Sequence, residues 1–518
     1  MPAGNIKRIY LHGLIASLVD LVVVSAYSLL VIRLSLTYLG KEEFGLLSLL
    51  SQVATYISIL DLGLYTAFSR ILIDYTTGTP ERYANALKTA SRVFHLLGFT
   101  GFLVACVVAL GGSSALSIPD HLYWKFVILM LAQGVSLWIS FSIKPLSAPL
   151  VANGKHYVIY WLNSGLTVLN AIVFWLALRG GIGIYSSFIA SFAQLLLSAA
   201  WLWRLSSPFR TVGGVRGAFD SGIFKEVVAF ARDSMLWQIG GQTLGVLPIV
   251  LASAWFALGA TADISAGMKL VILMISVCTR FGDMSVTPLS IQFAQGNEAA
   301  AAIQMARIAR VAGAISACAA LLIVCVNPAF IGWWMLDKIN WSWHENMAGA
   351  LWVAILSVTQ CMYGYAMICR QMGIIRWALL SECLLYIALA YGFRGWAGPA
   401  CLLWAKPVAT LINCIIVAWR IKQHTLFDTR QLMPVVLRQA VVLLLLIPPC
   451  LYFSHWIATV ASQPFLALVF SGMLSLVAML LATPLLFTRE MRADLYRILR
   501  DLLEKFRRSK AEPPAAAF

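Results

Sequence analysis

The chain has 518 residues, 60% of them hydrophobic and only 12% charged, with a mean hydropathy of +0.83, whereas ordinary soluble domains carry about 25% charged residues. These figures exclude a soluble globular protein, and the recurrence of apolar runs of about 20 residues identifies a polytopic helical membrane protein. The formal charge of +16 reads as basic loops facing anionic headgroups rather than as a nucleic-acid surface.

The first apolar run, 11–38, follows Lys7 and Arg8. It is too long for the core of a cleavable signal peptide and lacks a small-residue cleavage site, so it is expected to stay as a transmembrane helix. Hydropathy predicts further helices at 43–66, 93–112, 123–143, 157–178, 182–204, 227–256, 262–285, 308–332, 346–368, 376–393, 396–419, 433–455 and 464–487, about 14 crossings in all.

The expected architecture is all-α. It has an N-lobe at 1–205 (helices 1 to 6), a cytoplasmic linker at 206–226, a C-lobe at 227–422 (helices 7 to 12), a helix pair at 423–488 and a basic amphipathic tail at 489–518. A shift of about 219 residues lays Leu39-Gly40 on Leu258-Gly259 and Gly63 on Gly282, which suggests two pseudo-symmetric six-helix lobes, a common transporter plan. In the tail, Leu495, Ile498, Leu499, Leu502 and Phe506 share a face among arginines and lysines, as in helices that lie along a leaflet.

With the amino terminus inside, 29 basic residues fall on the cytoplasmic side, Lys144 among them, and only Lys41, Lys125, Arg179, Lys338 and Arg394 fall outside. This asymmetry predicts cytoplasmic termini. Four cations remain within apolar runs: Arg33, Lys269, Arg280 and Lys406. Each costs about 2.5–3.5 kcal/mol at a helix centre and normally faces a bundle interior or a wet cavity.

Lys269 and Arg280 are eleven residues apart, so they align on one face of the predicted eighth helix with Ser265, Ser276 and Asp283. The second helix carries Ser48, Ser51, Thr55 and Ser58, and the seventh Ser234, Gln238 and Gln242 beside Gly241 and Gly245. These faces either line one cavity or pack helices closely through small residues. Lys406 precedes Pro407, where a kink frees a backbone carbonyl, and Arg33 lies near a helix end where it can snorkel. The embedded acids Asp20, Asp61 and Glu382 are candidates for charge pairing or for carrying a coupling proton or sodium ion. A surplus of embedded cations suits an anionic substrate such as a phosphate or diphosphate.

Trp333, Trp334, Trp341 and Trp343 read either as a sugar-stacking exit site or as an aromatic belt. No CxxC, clustered histidine, P-loop, HExxH or GxSxG occurs, so no catalytic residue, metal site or bound cofactor is expected, and the chain is not read as an enzyme.

The stretch Leu39-Gly40-Lys41-Glu42-Glu43-Phe44-Gly45-Leu46, followed by Ile59-Leu60-Asp61-Leu62-Gly63-Leu64 and Ser69-Arg70, resembles the opening helices of bacterial polysaccharide flippases. These are the Wzx-like polysaccharide transporters of the multidrug/oligosaccharidyl-lipid/polysaccharide (MOP) superfamily. In the second half, Leu258-Gly259 followed by Ser265-Ala266-Gly267-Met268-Lys269-Leu270 is similar to the family's segment after its seventh helix, with Asp263-Ile264 departing from the small residues found there. The resemblance implies a V-shaped pair of lobes, alternating access, and passage of an undecaprenyl-diphosphate-linked glycan, such as an O-antigen repeat of lipopolysaccharide, across a bacterial inner membrane. It implies as partners the lipid-linked oligosaccharide, membrane lipids and polysaccharide polymerase machinery, and a cationic cavity drawn from Lys269, Arg280, Lys406 and Arg33. The rival expectations are a multidrug/cation antiporter of the same superfamily and a membrane glycan polymerase or ligase, the latter disfavoured by short outer loops.

Overall fold

Inside a bilayer the polar backbone of an apolar segment has no water to bond, so each run closes its N–H and C=O groups within a helix. The computed structural model of the protein is accordingly helical, without a strand among the described residues. The structure describes residues 3–492 except 62, 76–78, 154, 211–214, 216, 280–297, 336–337, 370, 426–431, 462 and 488–490. Arg280, Asp283 and the predicted tail helix beyond Arg492 therefore lie outside the described residues.

The helices are α1 (Ala3–Tyr38), α2 (Lys41–Ile57), α3 (Leu64–Tyr75), α4 (Pro80–Ala115), α5 (Tyr123–Ala152), α6 (His156–Arg179), α7 (Ser186–Arg210) and α8 (Ser221–Trp255). They continue as α9 (Leu258–Gly267), α10 (Lys269–Thr279), α11 (Glu298–Met335), α12 (Trp343–Ile368), α13 (Met372–Ala397), α14 (Cys401–His424), α15 (Met433–Val460) and α16 (Pro464–Leu486). Among the described residues 11 helical stretches are long and apolar enough to cross a membrane, or 12 with the bent pair α9–α10 as one span. One of these stretches, Gly373–His424, contains both α13 and α14.

Two predicted helices are not continuous. The second ends in a 3-10 turn at Ser58–Asp61, and the chain reverses its helical sense at Gly63, where φ is +76°, a conformation open to glycine at little cost. Thr55 and Ser58 turn their hydroxyls onto the carbonyls of Ser51 and Thr55, the local back-bonding that weakens and bends helices. The eighth helix bends by 42° between α9 and α10, so Ser265 stands before the bend and Lys269 and Ser276 after it. The single straight polar stripe expected there is split.

Two others run further than their hydropathy. The third helix starts at Pro80, a residue suited to a first helical turn, and the fourth continues to Ala152 through Pro145 and Pro149. Lys144, expected in a cytoplasmic loop, is consequently a helical residue.

The chain forms two compact units. The first comprises Met1–Lys269, Trp334–Asn340 and Ile375–Ala405. Its core gathers Phe68, Phe94, Phe126 and Phe141 between α3, α4 and α5, with Phe94 and Phe141 stacked at 6.4 Å. Helix α2 crosses α9 where Gly45 meets the Leu258 carbonyl; a Cβ there would lie 2.2 Å from that oxygen. The seventh-helix glycines divide their roles differently from expectation. Gly240 makes the close contact, against Leu379 of α13, while Gly241 and Gly245 have nothing within 4 Å of a Cβ.

The second unit comprises Leu270–Trp333, Trp341–Ile374 and Lys406–Phe518. Alanine-rich α11 buries Ala301, Ala306, Ala309, Ala317 and Ala320 almost completely, small side chains that let neighbouring backbones approach. Helix α12 begins at a reciprocal cap in which Ser342 and Glu345 satisfy each other's backbone N–H groups. Asn327 donates to Asn346 at 2.6 Å, and the Trp341 indole donates to the same Asn346 oxygen at 2.8 Å.

Candidate functional site

Polar and charged side chains cluster at three places in the first unit and along one helix face in the second. In the first unit, α1 and α6 run parallel and repeat their polar contacts every seven residues. Asp20 Oδ1 accepts from Asn163 Nδ2 at 2.8 Å and from Ser164 Oγ at 3.0 Å. Seven positions further along both helices, Tyr27 Oη donates to Asn170 Oδ1 at 2.7 Å, and Asn170 Nδ2 donates to Gln194 Oε1 of α7 at 2.6 Å. A seven-residue spacing returns to the same face after two turns, as in a coiled-coil seam. Among the described residues the bonding partners of Asp20 are neutral, so its carboxylate is held by dipoles rather than by a fixed cation.

Asp61 has the opposite environment. Breaking the second helix at Gly63 puts the Asp61 side chain at the start of α3, where Oδ1 accepts from the Tyr65 amide at 3.0 Å. Its other oxygen pairs with Lys144 Nζ at 2.7 Å, the two side chains being 17% and 32% exposed. Lys144 also sits 4.5 Å over the Phe141 ring, and Tyr65 Oη and Ser147 Oγ share a hydrogen bond at 2.8 Å. Hydropathy alone hid Lys144, because the apolar window closes at that lysine and the following proline looks like a helix end. Removing one partner of a shielded pair leaves an uncompensated charge. Lys144→Ala and Asp61→Ala are each expected to lower the melting temperature in detergent. The double variant is expected to fall no further than the worse single one; additive losses would show that the two charges act independently.

The third cluster lies at the Lys41 end of the unit. Lys41 pairs with Asp263 of α9 at 2.7 Å, and Asp263 also accepts from the Asn340 amide at 3.0 Å. Lys125 pairs with Glu43, and His121 approaches Glu42 at 3.2 Å. Lys338 donates to the Leu36 carbonyl and the Trp334 indole to the Leu29 carbonyl, both at 3.1 Å. Lys41, Lys125 and Lys338, three of the five basic residues expected outside, are thus all bonded at this end.

Lys269 is half-buried at the first position of α10, directly after the bend. Ser265 is half-buried on α9, and Ser276 returns its hydroxyl to the Ile272 carbonyl at 2.9 Å. Arg33 is exposed, one turn and a residue before the end of α1. Glu382 is buried on α13, next to Cys383, whose thiol faces the Gly240 carbonyl at 3.6 Å. Gln238 and Gln242 belong to α8, but their side chains lie outside the described residues.

In the second unit Lys406 is 5% exposed, with its ammonium 4.0 Å from the centroid of the Trp352 ring. A desolvated cation over an indole gains about 2 kcal/mol or more, which offsets part of the cost of embedding it. Thr410 and Asn413 follow at four and seven residues, buried on the same face of α14, and Asn413 donates to the Tyr363 hydroxyl. Trp352, Thr410 and Asn413 were not legible as site residues. The signal for the latter two was the i, i+4, i+7 spacing from Lys406. Of the four clustered tryptophans, Trp333 packs against Phe465 at 6.3 Å and Trp343 stacks on His344 at 3.6 Å.

No family model matches the sequence and no curated protein matches it. Solved structures do match. The MurJ lipid II flippase, in an inward closed conformation, aligns with TM-score 0.70 at 12% identity over 94% of this chain and 99% of its own. The chain has the fold of the MurJ and MATE transporters. An inward-facing multidrug resistance MATE family transporter of the MOP superfamily gives 0.64 at 11% identity over 77% of this chain and 94% of its own. The eukaryotic MATE transporter AtDTX14 gives 0.58 at 15% identity over 82% and 97%. At these identities the likeness establishes the fold and leaves the cargo to the chemistry of the side chains.

Proposed function

We propose that the protein is a flippase for a polyprenyl-diphosphate-linked oligosaccharide, such as an O-antigen or other surface-polysaccharide repeat unit. It moves its cargo from the cytoplasmic to the outer leaflet of a bacterial inner membrane by alternating access of two lobes. The observation that carries this reading is the fold likeness to a lipid flippase over 94% of the chain, against 77–82% for the two MATE structures. The embedded cations Lys269 and Lys406 support it, with Arg33 and Arg280 completing the set, since a diphosphate needs positive partners and an organic cation does not. The translocated glycan lipid is then available to polymerase machinery at the outer face. Asp20, held by neutral donors, is the position that binds a coupling proton or sodium ion, while Asp61 serves as a structural partner of Lys144.

The test is transport in liposomes of a fluorescent, short-chain diphosphate-linked oligosaccharide, scored by a membrane-impermeant quencher. Protein-dependent translocation is expected. Lys406→Ala and Lys269→Ala are each expected to reduce its rate by about tenfold or more at equal protein level, the loss of one charge-assisted contact to phosphate. Unchanged rates in both variants would remove the cationic-cavity reading, and gradient-driven export of a cationic dye without lipid translocation would favour the multidrug antiporter.

A further inference from the structure

At one end of the second unit a cavity of 250 Å³ opens between α11, the start of α15 and the end of α16, lined by Arg310, Ala314, Val435, Arg438, Gln439 and Leu486 among others. The cavity is smaller than the roughly 300–1,000 Å³ of pockets that enclose whole drug-sized ligands, so it fits a headgroup fragment. Among the described residues no acidic side chain lines it. The Arg310 Nε is buried without a hydrogen-bond partner among the described residues, a donor whose desolvation they leave uncompensated. Gln439, buried beside it, has its amide nitrogen 3.4 Å from Ser316 Oγ.

The position in the membrane decides what fills this basic cavity. Arg438 is five residues into α15, and Leu486 is the last residue of α16, so the cavity lies where two apolar helices leave the hydrocarbon. Directly membrane-ward of Arg438, at three and seven residues, Val441 and Leu445 are 46% and 62% exposed, and Leu481 and Leu485 of α16 are 58% and 51% exposed. Two guanidinium groups at the interface with an apolar helical surface above them match a molecule that is anionic at its head and apolar along its length.

We infer that this cavity is a binding site for the phosphate of an anionic phospholipid, with the acyl chains lying along α15 and α16. Arg310 and Arg438 neutralise the phosphate and Gln439 orients it by hydrogen bonding. The site uses none of the residues assigned to cargo, so it is a lipid contact separate from the transported molecule.

The purified full-length protein in neutral detergent is titrated with short-chain phosphatidylglycerol, short-chain phosphatidylcholine and inorganic phosphate, and binding is read by native mass spectrometry. Phosphatidylglycerol is expected to bind at lower concentration than phosphatidylcholine, and Arg310→Gln and Arg438→Gln are each expected to weaken it by about tenfold. Arg438 is exposed, so its variant reads binding even if Arg310→Gln disturbs packing. Equal binding of both lipids, or phosphatidylglycerol binding unchanged in Arg438→Gln, would overturn the site. Displacement of the lipid by an equal concentration of inorganic phosphate would overturn the lipid as its source.

Discussion

Gly45→Val is expected to abolish the monodisperse folded protein, the largest structural effect of any single substitution considered. A Cβ at this position would lie 2.2 Å from the Leu258 oxygen and 2.9 Å from its carbonyl carbon. Both are backbone atoms of a neighbouring helix and cannot rotate away. Overpacking against flexible side chains costs about 1–3 kcal/mol; here α2 and α9 must separate instead. The separation would strain the Lys41–Asp263 pair, which joins the same two helices at 2.7 Å. Size-exclusion profile and thermal unfolding in detergent read the effect. Gly111→Ala, in α4 with nothing within 4 Å of its added Cβ, serves as the control. It is expected to be neutral or to stabilise by about 0.5–1 kcal/mol, the cost of glycine within a helix. A wild-type profile for Gly45→Val would mean that α2 and α9 do not cross in this register.

The second large effect is on energy coupling. Asp20→Asn is expected to leave folding intact and to eliminate the part of transport that depends on an ion gradient. The asparagine oxygen still accepts from Asn163 and Ser164, which hold Asp20 at 2.8 and 3.0 Å, but the group no longer binds a proton or a sodium ion. Asp20→Ala separates structure from coupling. It removes the shared acceptor of Asn163, which is exposed, and of Ser164, whose hydroxyl also has the Tyr160 carbonyl at 2.9 Å. The loss is that of about one net hydrogen bond, roughly 0.5–1.5 kcal/mol, a small fall in melting temperature that Asp20→Asn is not expected to show. The readout is lipid translocation in liposomes with and without a proton or sodium gradient. A gradient response that survives in Asp20→Asn would move the coupling site away from α1.

The two carboxylates illustrate how a site divides between what is written locally and what is not. Asp20 and Asp61 look alike in the sequence, each an acid in an apolar run. In the folded chain one is held by neutral amide and hydroxyl donors from α6, and the other is neutralised by Lys144, 83 residues away. Lys406 is similar: its embedding is evident from its neighbours in sequence, whereas the Trp352 ring beneath it comes from another helix. The polar repeat on α1 and α6 was present in the sequence as Asp20 and Tyr27 against Asn163 and Asn170, at a common spacing of seven. A spacing of that kind becomes a contact only when the two helices are known to be neighbours.

Composition and hydropathy by themselves determined that the protein is an all-helical membrane protein, because a long apolar segment in lipid has no alternative to closing its backbone hydrogen bonds internally. They also marked Lys269 and Lys406 as charges within apolar runs, but not Lys144, whose helix continues past the end of its apolar window. Tertiary structure alone decided which charges are paired, where helices break or bend, and which glycines are pressed against a neighbour. The break after Asp61 and the bend before Lys269 lie within apolar stretches that hydropathy scores as continuous. The reason is physical: hydropathy is a property of one helix in lipid, whereas the energy of an embedded charge or a missing side chain is set by atoms from other helices, dozens to hundreds of residues away.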